Sequence, residues 1–473
     1  MTVEDIGNVQ SFAKSEAPSS HSLSHIESQD AVRREQVRKR AYAKVDRRLI
    51  LWHMVLYLLM KFGQSNVSNA AIMNLESGNG IKKELGHLTS TQWAFVLSVF
   101  YYPYMFLEPG SGLLIKRFSP SIWISRILLT WGIASICQAA TKNYAGIIAC
   151  RIFLGAAEAG YWPAAVYHIS FWYHPDYLPM RMGIFYAFGA SAGALFLIEG
   201  TWPIIAGIIT YLFLTDYPQT AKFITEEERQ VILDTLPKGA PSMHDKAWDG
   251  KAVKKMLRDP TFWGFLALWV SQNIGGYGVV YVYPTVVYEM GFTGTTTTQL
   301  LTMPPYGLAW TVLLFFNLFI RHKRIPAFAV GLGIVSIQVV CYILLLTLKS
   351  APARYVFLTI GICGTYTVSP ILWSERIRAV KGTSTSGLAF GITNGMASIT
   401  GIVGPQIFQS KFGPRYKVSY GICLVFLCIC VVSLLGTWKL CRDKYAREAA
   451  EAEAASDSTI EIEITHKPKP EAL

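Results

Sequence analysis

The sequence predicts an all-α polytopic membrane protein built from two six-helix halves, and three observations carry that expectation. Of the 473 residues, 52% are hydrophobic and 16% charged, and the mean hydropathy is +0.31; soluble chains of this length rarely combine such values. The apolar residues fall in repeated blocks of about 20, each long enough to cross a hydrocarbon core of about 30 Å as a helix. A hydrophilic segment from Asp216 to Asp259 divides the blocks into two groups, the layout of a transporter made of two helical halves.

In chain order, spans are expected at 49–73, 91–114, 121–140, 144–170, 182–214, 262–287, 299–320, 326–348, 354–373, 384–408 and 418–440. Residues 1–45 are polar and Ser/Glu-rich and lack the apolar run of a secretory signal. They read as a disordered cytosolic tail, which leaves targeting to the first span. The N-terminal helical half then covers 46–215, a cytosolic linker 216–260, the C-terminal helical half 261–445, and an acidic, low-complexity, disordered cytosolic tail 446–473. Within the linker, Thr225 followed by Glu228 reads as a capping box that opens a short amphipathic helix.

Orientation follows from the positive residues, which stay in the cytoplasm. Arg33, Arg34, Arg38, Lys39, Arg40, Lys44, Arg47 and Arg48 crowd the approach to the first span, and Lys439, Arg442 and Lys444 follow the last. Both termini are therefore expected inside, in a multi-pass protein of the plasma membrane. The net charge of +12 reads as this topology signal plus attraction to anionic lipid, because a nucleic-acid reader would need its cations on one soluble face. The eight cysteines show no CxxC or Cys/His ligand spacing, so neither a disulfide framework nor a metal site is expected. Cys441, between Lys439 and Arg442, is either a span-end residue or a palmitoylation site. No P-loop, dinucleotide fingerprint or nucleophile motif occurs in a soluble piece. An enzyme is not expected, no cofactor is implied, and an ion gradient is the expected driving force.

The most informative residues are Arg151 and Glu158, in the apolar run YAGIIACRIFLGAAEAGYWPAAVYHISFW. A charge at mid-membrane depth costs roughly 2.5–3.5 kcal/mol on insertion scales, so a pair needs a reason to persist. Their spacing is close to two helical turns and stacks both on one face, where a guanidinium can grip an anion while a carboxyl carries a proton. An anion on Arg151 would offset its charge and ease protonation of Glu158, so that anion and proton move together. The alternative is a buried ion pair that merely locks one helix to its neighbours.

LLIKRF with Arg126 beyond it, RIFLGAAEAG, YHISFWY, EGTWPIIAGIITYLFLTDYPQTAKFITEEER, LLTMPPY and VGPQIFQSKFGPRY together resemble the fungal allantoate permease family, in the anion:cation symporter branch of the major facilitator superfamily. The resemblance covers about residues 45–445. It implies the major facilitator fold and a monomer that carries a small organic anion, such as a vitamin or nitrogen-source carboxylate, with a proton. It also implies that Arg151 contacts the carboxylate and that Glu158 exchanges the proton. Because sites in these carriers lie near the midplane between the halves, Asn66, Asn69, Tyr161, Gln272, Asn273, Tyr277, Tyr306 and Asn394 are the further candidates for the substrate path. Each aromatic among them has packing or interfacial anchoring as its alternative. Lys116, Arg117 and Arg126 are expected to be topology anchors and gate contacts, not substrate ligands.

The chain departs from that family in three places. The family's first-span aspartate is Gly63, with Lys61 two positions earlier and angled elsewhere. The Asn pair before the eleventh span is absent, with Glu375 and Arg376 nearby. GASAGALF runs directly into LIEGTWP, so residues 182–214 must supply a fifth span, a turn and a sixth, although two full helices need about 40 residues. A single span there would invert the charge bias of all later loops. Two shortened helical pieces, broken near Gly193, Glu199, Gly200 or Pro203, or a misjudged splice in the gene, are the remaining explanations. An exporter of a fungal metabolite, or a transport-deficient variant acting as a nutrient sensor, would fit the same chain, and the missing aspartate mildly favours either.

Overall fold

The computed structural model describes residues 20–70, 80–174, 177, 181, 182, 185, 201–236, 250–292, 295–321, 325–380 and 383–465. Every regular element among them is helical. The first half comprises α1 (Ser20–Val45), a π-helical turn Asp46–Ile50, α2 (Leu51–Ala70), the single turn α3 (Ile81–Glu84), α4 (Ser90–Val99), α5 (Tyr101–Arg117), α6 (Pro120–Ala139), α7 (Tyr144–Glu158), α8 (Tyr161–Ser170) and α9 (Thr201–Phe213). Between the halves lie α10 (Glu226–Thr235) and α11 (Gly250–Arg258). The second half comprises α12 (Pro260–Gln272), a π turn Asn273–Tyr277, α13 (Tyr283–Glu289), α14 (Thr295–Leu301), α15 (Pro304–Arg321), α16 (Ala327–Thr347), α17 (Ala351–Arg378), α18 (Thr383–Ala397), α19 (Ile399–Ile407) and α20 (Lys417–Thr465).

Local chemistry explains where these helices start and break. Thr89 and Gln92 form a capping box at α4, Asn143 accepts the Gly146 N–H at 2.7 Å to open α7, and Asp259 accepts the Thr261 N–H at 2.9 Å to open α12. The expected span 144–170 is interrupted at Gly160, whose φ of +93° is left-handed and whose Cβ, if it had one, would lie 1.8 Å from the Ser111 hydroxyl oxygen. Among the described residues, six helical stretches are long and apolar enough to cross a bilayer: Pro120–Ala139, Thr297–Phe316, Ala327–Thr347, Ala351–Arg378, Thr385–Ile407 and Lys417–Glu448. Of the expected hairpin 182–214, the described residues include α9, Thr201–Phe213. Gly193, Glu199 and Gly200 lie outside the described residues.

Helix extends into both end segments among the described residues. The segment read as a disordered N-terminal tail is helical from Ser20, and the acidic C-terminal segment continues α20 as far as Thr465. The physical reasons differ. Ala/Glu-rich sequence such as EAAEAEAA has high intrinsic helix propensity, whereas α1 is held by partners: Arg33 pairs with Glu227 at 3.1 Å and Lys44 with Glu228 at 2.8 Å. Glu228 also completes the capping box with Thr225 at the head of α10, as the spacing suggested.

The halves meet most closely where α5 crosses α18. Gly387, Gly391 and Gly395 recur every four residues on one stripe of α18. A Cβ on Gly387 would lie 2.7 Å from the Gly112 carbonyl oxygen, one on Gly391 2.9 Å from the Pro109 Cα, and one on Gly395 3.0 Å from the Met105 carbonyl oxygen. Backbone packs on backbone, as in small-xxx-small helix pairs within membranes.

Two expected outcomes follow. Gly391→Leu forces α5 and α18 apart and lowers stability in detergent by at least the roughly 1–3 kcal/mol of overpacking, whereas Gly307→Ala, at a position with nothing within 4 Å of the added carbon, stays close to wild type; thermal unfolding of the two variants checks this. Burial opposes the Glu228 charge, but the Lys44 ammonium and the Thr225 backbone N–H hold its carboxyl below the usual carboxylate range. Its contribution is present above about pH 4.3, the unfolded value, and is lost as pH falls through the lower folded value. E228Q keeps an N3 amide for the cap but loses the charge. At pH 7 it is less stable by roughly 0.2–1 kcal/mol, allowing for the partly exposed lysine, and the difference closes on acidification.

Candidate functional site

The site is built on one face of α7. Arg151, Leu154, Gly155 and Glu158, at i, i+3, i+4 and i+7, are buried, while Ile152 and Phe153 on the far side are 42% and 71% exposed. Arg151 is 4% and Glu158 1% exposed, and both line one small cavity of about 10 Å³ with Gly63, Gln64, Phe100, Tyr101 and Tyr281. Gly155 makes this possible: a Cβ there would stand 2.1 Å from the Phe100 carbonyl oxygen, so the α4–α5 junction comes up against the backbone between the two charged side chains. The Arg151 guanidinium lies 5.8 Å from the Phe100 ring centre.

From α2, the Gln64 amide donates to Glu158 Oε1 at 2.7 Å and accepts from Lys61 Nζ at 2.8 Å. Lys61, angled away from Gly63, is thus not directed away from the site: it sits one turn before Gln64 on the same helix face and reaches a second, central cavity. That cavity, of about 90 Å³, lies between the halves. Tyr57, Lys61, Gln64, Tyr101 and Trp162 line it from the first half, and Trp269, Asn273, Tyr277, Tyr281, Ser369 and Asn394 from the second. Gln64, Tyr101 and Tyr281 belong to both cavities, and Tyr101 and Tyr281 meet edge to face at 5.2 Å. Trp162 and Trp269 each stack on Trp373, at 6.3 and 4.8 Å, an aromatic bridge from one half to the other.

Of the further candidates, Asn273, Tyr277 and Asn394 line the central cavity. Gln272 does not. The π turn adds a residue to the helical repeat and leaves Gln272 facing α16, where its amide donates to Gln338 Oε1 at 3.2 Å. Tyr161 follows the break at Gly160 and turns towards α2, its hydroxyl donating to the His53 carbonyl at 3.3 Å. Tyr306 stands behind the cavity wall, edge to face with Tyr366 at 5.2 Å. The side chains of Asn66, Asn69 and Lys116 lie outside the described residues. Arg117 is exposed at the end of α5, and the Arg126 guanidinium lies 4.1 Å over the Trp123 ring; neither lines either cavity. Arg376, noted beside the missing Asn pair, is buried against Phe262 and Phe265 and bonded to the Thr393 hydroxyl at 3.2 Å.

One acid was missed. Glu108 on α5 is fully buried and accepts from the Asn394 amide at 2.5 Å, so a wall residue of the central cavity links α18 to a carboxyl in the other half. An acid inside the expected span 91–114 was itself the available signal.

Residues 54–405 match the sequence profile of the Major Facilitator Superfamily. The chain belongs to this superfamily. It is accordingly a multi-pass membrane transporter with an all-α fold. It is 26% identical over 428 residues to the MFS transporter prlL of a fungal species (strain NRRL 50135), covering 83% of this chain and 84% of that relative. It is likewise 26% identical over 419 residues to the MFS-type transporter efuF of Hormonema carpetanum, covering 83% of each. The crystal structure of the human organic anion transporter MFSD10 (TETRAN) superposes with a TM-score of 0.58 at 12% identity, over 81% of this chain and 99% of that one, a likeness of fold.

Replacing Gln64 by Leu removes an amide that serves a buried carboxyl and an ammonium. We expect a loss of roughly 1–3 kcal/mol, with Gln64→Leu and Glu158→Gln non-additive by more than about 0.5 kcal/mol in a double-mutant cycle. Additive thermal shifts would separate the two residues energetically.

Proposed function

We propose that this transporter carries a small organic anion together with a proton by alternating access, as a member of the allantoate permease branch. The observation that carries this reading is the placement of Arg151 and Glu158 on one inward face of α7 and in one cavity, joined through Gln64 to Lys61 of the central cavity. Arg151 grips the carboxylate with two parallel hydrogen bonds, a geometry an ammonium cannot match. Lys61, among the described residues the one formally cationic side chain lining the central cavity, draws the anion in. Asn273, Ser369 and Asn394 orient it, and the tyrosines supply a rigid wall. A cavity of about 90 Å³ is small beside drug-sized pockets of about 300 Å³ and more, which suits a small solute. Glu158 takes the proton when the anion offsets Arg151, linking the two equilibria.

On this reading the protein lies in the plasma membrane with both ends and the 216–260 linker cytoplasmic, and works as a monomer. Gly63 in the cavity wall, where the family has an acid, favours a second reading: export, or binding without flux.

The test uses protein in proteoliposomes and a panel of radiolabelled carboxylates that includes allantoate, nicotinate and pantothenate, with and without an inward proton gradient. Arg151→Ala is expected to weaken binding and uptake at least tenfold. Glu158→Gln retains exchange but loses gradient-driven accumulation. Normal concentrative uptake by either variant would refute the assigned roles, and binding without flux in the wild type would select the sensor.

A further inference from the structure

A cavity of about 330 Å³, several times the volume of the central one, lies away from the transport path, between the π turn that precedes α2, the end of α9 and the loop beyond it. Its lining combines two chemistries. Arg47 and Arg48 belong to it, both exposed. Neither is in an ion pair among the described residues, and their neighbour Asp46 is already taken by the Arg181 guanidinium at 2.6 Å and the Tyr173 hydroxyl at 2.7 Å. Arg48 is steadied by the Phe223 ring, 5.0 Å from its guanidinium carbon. Among the described residues, no acidic side chain lines the cavity.

Much of the remaining lining is apolar, Trp52, Ile209 and Phe213 included. The Trp52 indole N–H is spent on the Thr210 hydroxyl at 3.0 Å, so the ring offers the cavity carbon alone. Phe213 is 61% exposed, and Ile205, Ile208 and Leu212 continue an exposed apolar face along α9, which in a membrane protein is the face that acyl chains cover.

We propose that this cavity is a binding site for one anionic phospholipid, its phosphate and carboxylate on Arg47 and Arg48 and an acyl chain laid along Ile209 and Phe213. Paired guanidinium forks recognise phosphate bidentately, and a basic cluster at the mouth of a span attracts anionic lipid. The apolar wall selects a lipid over a soluble phosphate, which would leave it uncovered. The site is independent of the cargo and of the Arg151 and Glu158 assignments.

Native mass spectrometry of the full chain, released from detergent micelles doped with phosphatidylserine or phosphatidylcholine, tests it. The wild type is expected to retain phosphatidylserine at least tenfold more tightly than phosphatidylcholine. The double variant R47Q/R48Q loses that preference, and I209W, which fills the groove with both charges left in place, loses retention of phosphatidylserine. If R47Q/R48Q does not fold, I209W and the lipid comparison decide alone. Equal retention of the two lipids by the wild type, or unchanged retention in I209W, overturns the proposal. Glycerophosphoserine, the headgroup without chains, is expected not to compete; competition equal to that of the lipid would show a soluble-anion site instead and overturn it as well.

Discussion

Hydrocarbon cannot solvate a guanidinium or a carboxylate, and the architecture of this bundle depends on that constraint. Arg151 and Glu158 on α7, Glu108 on α5 and Lys61 on α2 each carry an insertion cost of a few kcal/mol, met by enclosure. Glycines let the enclosing backbones approach: Gly155 admits the Phe100 carbonyl beside the charged face of α7, and Gly387, Gly391 and Gly395 seat α18 on α5. Amides then complete the shell. Gln64 serves Glu158 from within the same half, and Asn394 serves Glu108 from across the interface. A side-chain amide is a suitable companion for an acid that exchanges a proton, since its N–H donates to the carboxylate and its oxygen accepts from the protonated form.

Much of this was legible in the sequence, and the failures have separate causes. The inward face of α7 followed from 3.6-residue periodicity, the α10 cap from Thr225 and Glu228, and the cavity positions of Asn273, Tyr277 and Asn394 from polar residues set in apolar runs. Periodicity assumes an unbroken helix. Gln272 and Tyr161 adjoin interruptions, the π turn at Asn273–Tyr277 and the left-handed Gly160, and each interruption re-aims its neighbours. Lys61 misled differently: its angle was judged against Gly63, whereas its partner is Gln64, three residues on. Composition alone registers low hydrophobicity at the ends of the chain, but neither the helix propensity of an Ala/Glu run nor the linker acids that pair with α1.

Hydropathy also sorts the spans by their place in the bundle. The most apolar stretches, within Ala327–Thr347 and Lys417–Glu448, line neither cavity. Helices that do line them carry the charges, the π turn and the broken segments, because a wall that meets water and solute has to present polar groups and irregular backbone. The polar character that weakens these segments as membrane spans is the same character that equips them for a site.

α9 is apolar, with Ile205, Ile208, Leu212 and Phe213 exposed along one face. Its C-terminal end is fixed: Trp52 bonds Thr210, the Ser125 hydroxyl donates to the Gly207 carbonyl at 2.7 Å, and Asp216, just beyond, accepts the Ser121 N–H at 2.7 Å at the head of α6. That end is therefore held level with the start of α2 by hydrogen bonds to α2 and α6. α7 is seated separately, on the α4–α5 junction through Gly155, where a Cβ would stand 2.1 Å from the Phe100 carbonyl oxygen. The face that carries Arg151 and Glu158 is thus positioned by α4 and α5, and the close approach that a glycine permits is what sets it.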